Sequence, residues 1–177
     1  MKNKKSIVAI AGLALIIGIA GTFAYFRFTE SFDNIFKLSE QNTKFIEVFD
    51  SPENWTPCTE TPKELSIENT STFAIKARVK ANEWWDKLDE NGRETGERLP
   101  ITADGETMAV KDINTTDWIY NSTDGYYYYN GTIGINSSSS KFINKVTFNC
   151  NAKNEYSSAR YHLKLTVQTL QADGTWN

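Results

Sequence analysis

A single histidine, His162, stands among the 177 residues of the chain. Catalytic triads, Cys–His pairs and multi-histidine zinc sites each need a positioned imidazole, so most hydrolytic and metal-centred chemistry has little to be built from. No HExxH, GxGxxG, phosphate-binding loop or CxxC motif occurs either. The expectation is a protein that is not an enzyme, with no catalytic residues, no cofactor and no metal. Basic runs are missing beyond the N-terminus. Three of the 19 basic residues lie within residues 1–24 and none of the 22 acidic ones does, so the remainder carries a net charge of −6. A mildly acidic chain of this kind is not expected to bind nucleic acid. Cysteine is scarce, with only Cys58 and Cys150.

One long apolar run is present. Lys2, Lys4 and Lys5 precede Ile7 to Ala20, and Thr22-Phe23-Ala24 then supplies small residues before Tyr25. This is the three-part pattern of a secretory signal peptide, with cleavage expected between Ala24 and Tyr25. A permanent anchor is the other reading, since a run of about 20 residues spans a bilayer. Export places residues 25–177 outside the cytoplasm, where disulfides persist. There Cys58 and Cys150 are expected to pair, closing a loop of about 90 residues worth about 4 kcal/mol in the chain-entropy description. Two free buried thiols would be the alternative.

The mature region reads as strands of period two. Phe73, Ile75, Ala77, Val79 and Ala81 alternate with Ala74, Lys76, Arg78 and Lys80, which buries one face and solvates the other. Leu65 and Ile67 precede them, across an Asn69-Thr70-Ser71 turn. Val146, Phe148 and Cys150, and Tyr161, Leu163, Leu165 and Val167, repeat the pattern. His162 falls on the polar side and is expected to face solvent. Asn130-Gly131 lies between Tyr126–Tyr129 and Thr132–Ile135, a strong hairpin signal. Asp89 to Gly105 and Ser137 to Ser140 read as loops. Asp89-Glu90 and Asp104-Gly105-Glu106 match no calcium loop and read as solvated turns. An all-β antiparallel sandwich of one domain, residues 37–177, follows, preceded by a signal-peptide helix over 1–24.

Residues 25–36 form a distinct arm. Phe26, Phe28, Phe32 and Phe36 share one parity of a strand. Phe28, Phe32, Ile35 and Phe36 equally fit one face of a helix. Four buried phenylalanines supply at most about 6–12 kcal/mol, so the arm must fold onto its own domain or enter a neighbour.

Several motifs in order resemble one family. The ending Gly-Thr-Phe-Ala-Tyr-Phe (21–26) is similar to signal peptides cut by the SipW-type signal peptidase. Lys63 to Thr70 followed by Ala74 to Val79 resembles central strands of the TasA/camelysin family. Trp118, Asp124 to Asn130, Val146 to Asn149 and Tyr161 to Ala172 resemble its BsaA-type members, SipW-dependent biofilm matrix proteins of Gram-positive bacteria. The resemblance covers nearly the whole chain. It implies a jelly-roll sandwich that polymerises into extracellular fibres, with a donor-strand arm of Tyr25, Phe26, Phe28, Phe32 and Phe36 added to the next subunit. It implies as partners a second copy of the chain or a related fibre subunit, the SipW-type peptidase and a matrix polysaccharide. Cys58 and Cys150 depart from the family pattern, and the zinc-binding histidines that the camelysin protease label would need are missing. A cell-surface carbohydrate-binding module is the alternative function, with Trp84, Trp85, Trp118, Trp176 and Tyr126 to Tyr129 as candidate sugar platforms.

Overall fold

The computed structural model describes residues 27–34, 43–49 and 55–176. The signal segment, the Ala24–Tyr25 cut, Phe26 and Phe36 lie outside the described residues. The first strands are β1 (Arg27–Asn34), β2 (Thr43–Phe49), β3 (Glu60–Asn69), β4 (Ile75–Leu88) and β5 (Glu94–Leu99). They are followed by β6 (Thr102–Ala103), β7 (Glu106–Thr107), β8 (Ala109–Ile113) and β9 (Trp118–Asn121). The last are β10 (Tyr126–Tyr129), β11 (Ser137–Ser138), β12 (Ile143–Phe148) and β13 (Ala159–Gln171).

Two large sheets form the body. One runs β1-β13-β4-β10-β9, with β5 on the far half of β4. The other runs β11-β3-β12-β8, with β2 on the outer edge of β3. The alternation in β3 and β13 drives this arrangement, because every second residue is buried. Trp55, Trp85, Phe148 and Tyr161 bring the two sheets together: Trp55 lies 4.9 Å from Phe148 and Trp85 5.0 Å from Tyr161, centroid to centroid. A second aromatic group holds the other end, with Trp118 5.3 Å from Phe142 and Tyr127 5.2 Å from it. All-β sheet architecture is therefore present, mostly antiparallel.

Two polar networks are built into this core. Asn69, fully buried, donates from Nδ2 to the carbonyls of Phe73, Ile133 and Gly134 at 2.8, 2.9 and 3.1 Å. Its Oδ1 accepts from the Ser71 amide at 3.0 Å and the Ser71 hydroxyl at 2.5 Å. One side chain thus closes the corner where the chain leaves β3 for β4. Between the sheets, Lys111 of β8 pairs with Glu83 of β4 at 2.5 Å, and the Tyr161 hydroxyl donates to the other Glu83 oxygen at 2.6 Å.

Three sequence expectations are corrected. Asn130-Gly131 does not turn a hairpin: β10 pairs backward with β9 through the Asn121–Gly125 turn. There Gly125 adopts φ +75° and the Asp124 carboxylate accepts the Tyr126 amide, whereas Thr132–Ile135 contributes only an isolated bridge of Ile133 to Ile75. The serine run is not wholly loop, since Ser137–Ser138 form β11 and buried Ser139 accepts the Ile67 amide. Within Asp89 to Gly105, β5 folds back on β4 as a hairpin.

Candidate functional site

The strongest candidate is the outer edge of β13. Thirteen residues of β13 pair with β4 on one side. On the other side β1 pairs in parallel, from Arg27 opposite Arg160 to Asn34 opposite Val167. It is the only parallel ladder among the described strands. Parallel neighbours normally arise from a crossover between consecutive strands. Here the partners are the first and last of the described strands, so no local connection enforces their pairing. In the arm, Phe28 and Phe32 occupy the register positions of buried Tyr161 and Leu165, while Glu30 and Asn34 occupy those of Leu163 and Val167. Of the two readings left open for the arm, helix or strand, residues 27–34 take the strand.

Without an occupant, this edge would present a long row of open main-chain groups flanked by buried apolar side chains, a template for strand addition. Two features at other edges differ. The solvent face of β2 carries exposed Ile46 and Val48, and β9 carries exposed Ile119 and Tyr120, but no strand is added there among the described residues.

Cys58 and Cys150 are joined as a disulfide, with Cα atoms 4.4 Å apart. The bridge sits at the mouth of β3 and the exit of β12. Thr56-Pro57-Cys58-Thr59 is a tight turn closed by the Thr59 amide on the Thr56 carbonyl, with Cys58 at φ +67°. Glycine suits that third position best, and the cross-link holds a cysteine there instead.

His162 does not face open solvent; its side chain is 12% exposed. It stacks on Trp84 at 4.8 Å, and its Nε2 lies 3.2 Å from Asp86 and 3.3 Å from Glu94. The three ligating atoms lie within 4.8 Å of one another, a spacing a metal ion could use. Charge balance argues otherwise: Arg160 donates to Glu94 at 2.5 Å and Arg98 lies 3.9 Å from Asp86, so both carboxylates already face guanidinium groups. Burial lowers the His162 pKa from its ordinary value, outweighing the opposing pull of Glu94 and Asp86. Sequence reasoning missed this network because its members come from three strands.

The aromatic candidates for sugar binding divide. Trp85 and Trp118 are fully buried and cannot offer a face to a sugar. Trp84 is taken by His162 and by Arg98, whose guanidinium lies 5.0 Å from the ring centre. Arg78 lies over Tyr126 at 4.2 Å and over Trp176 at 4.4 Å, with Tyr128 edge-on to Trp176. The accessible rings are thus largely engaged by cations.

Among the described residues no helix is long and apolar enough to cross a membrane. Comparison with protein-family models, with curated proteins and with solved structures finds no match to this chain.

Proposed function

We propose that this chain is an exported structural subunit that polymerises into extracellular fibres, the N-terminal arm of one copy adding as a strand along β13 of the next. The observation that carries the reading is the parallel ladder between β1 and β13. Among the described strands β1 pairs with β13 alone, so moving the arm to a second copy replaces each main-chain bond by an identical one. Exchange of an identical element is a low-cost route to association, and strand addition draws affinity from main-chain bonds. At low concentration the nearest arm is the chain's own; at high concentration a neighbour's arm competes on equal terms. A head-to-tail exchange that does not close gives a filament. The signal-peptide pattern of residues 1–24, the shortage of catalytic groups and the resemblance to the TasA/camelysin family point the same way. A jelly-roll strand order, the SipW-type peptidase, a related subunit and a matrix polysaccharide belong to this proposal.

Electron microscopy and sedimentation of the secreted chain, with and without residues Tyr25 to Asn34, test it. The intact chain forms thread-like polymer and the shortened chain does not. Polymer from the shortened chain would remove the arm from the mechanism.

A further inference from the structure

Among the described residues Lys63 is the one lysine that is completely buried. It belongs to β3, on the inward parity shared with Thr61, Leu65, Ile67 and Asn69. Its Nζ is in direct contact with Oε1 of Glu47 on β2. The ladder explains the meeting: Glu47 is opposite Leu65 and Phe49 opposite Lys63, so Glu47 and Lys63 are diagonal neighbours on one face of an antiparallel pair. Glu47 sits at the rim, its side chain 27% exposed.

We propose that Lys63 and Glu47 are joined by an isopeptide bond, Nζ to Cδ, that fastens the edge strand β2 to β3. As an ion, Lys63 would hold a charge in the core at a cost of several kcal/mol before pairing. The environment shifts both groups toward their neutral forms. Burial lowers the Lys63 amine from 10.5 to about 7, and burial raises the Glu47 carboxyl above its ordinary value. A neutral amine is a nucleophile, and a protonated carboxyl can lose hydroxide as water. The amine lone pair attacks Cδ, the bond from Cδ to hydroxyl breaks, and the hydroxyl departs with one amine proton. One amide and one water form, and nothing is oxidised or reduced. Condensation that is unfavourable between free molecules in water is driven here by proximity: fixed partners reach effective molarities of about 10⁵–10⁸ M. The product is uncharged, which removes the burial penalty, and the exposed rim at Glu47 gives the water a way out. The bond does not depend on polymer formation; it belongs to each subunit.

The test is the intact mass of the full chain, fully reduced and denatured. The expected mass is one water below that of the sequence, with trypsin failing to cut after Lys63 and a branched peptide carrying Lys63 and Glu47. Lys63→Met, which keeps the volume and drops the amine, restores the full mass, as does Glu47→Ala. A reduced wild-type chain at full mass overturns the proposal. So does a missing water that maps to an imide at Asp104-Gly105 or Asp124-Gly125, or a missing ammonia that maps to Lys63 joined with an asparagine or glutamine.

Discussion

Replacing Asn69 by alanine tests whether one buried amide holds the corner between β3 and β4. Its Nδ2 has two hydrogens to share among three carbonyls, those of Phe73, Ile133 and Gly134, and its Oδ1 holds the Ser71 amide. Counting two donated bonds and one accepted backbone bond, at about 1 kcal/mol net each, the loss is about 3 kcal/mol. The Ser71 hydroxyl retains its bond to the Phe73 carbonyl, so the loss stops there. For a domain of this size that corresponds to a fall in Tm of about 6–12 °C. Urea unfolding followed by tryptophan fluorescence, run alongside calorimetry, measures both. Asn69→Asp is the sharper control: it keeps an acceptor for Ser71 but aims a carboxylate at three carbonyl oxygens, so at neutral pH it is expected to be at least as destabilising as alanine. An Asn69→Ala variant within about 0.5 kcal/mol of the parent, the range of an ordinary surface change, would refute the reasoning.

Two further predictions concern the disulfide and the histidine. Changing Cys58 and Cys150 together to serine removes a cross-link over 92 residues and is expected to cost about 4–5 kcal/mol in denaturant unfolding, the chain-entropy value for a loop of that size; an unchanged midpoint would count against it. Because the folded-state pKa of His162 lies below its unfolded value of 6.5, the unfolded chain takes up the proton first as the medium is acidified. Its contribution to stability is therefore complete above that unfolded value and is lost as pH falls through it toward the folded one. Unfolding free energy measured against pH should show this fall in the parent and a flatter profile in His162→Gln; equal slopes would contradict the burial argument.

What the sequence made legible follows from periodicity. The inward parity of β4, β12 and β13 could be read directly, because an alternating face on a sheet leaves no other way to bury Val79, Val146 or Leu163. The pairing of Cys58 with Cys150 was an expectation that rested on export, with two free thiols as the alternative, because sequence separation does not fix distance; the fold brings their Cα atoms to 4.4 Å. Asn130-Gly131 misled because the competing turn, Asn121 to Gly125, uses side-chain capping by Asn121 and Asp124 that a dipeptide rule does not weigh. Lys63 was hidden by its type: the parity of β3 places it inside, whereas a lysine is ordinarily placed outside. The strand state of the arm could not be chosen from its phenylalanines, since the same residues fit both periods and only the open edge of β13 decides.

The most direct test of the arm's role is a cysteine trap at the register pair Ser31 and Lys164. The double variant Ser31→Cys, Lys164→Cys, oxidised at high concentration after export, is expected to run as a ladder of covalent oligomers that collapses on reduction. Each rung then records an arm seated on a neighbour. Quantitative cross-linking within single chains, with no ladder at any concentration, would mean that the arm never leaves its own sheet and would contradict the account.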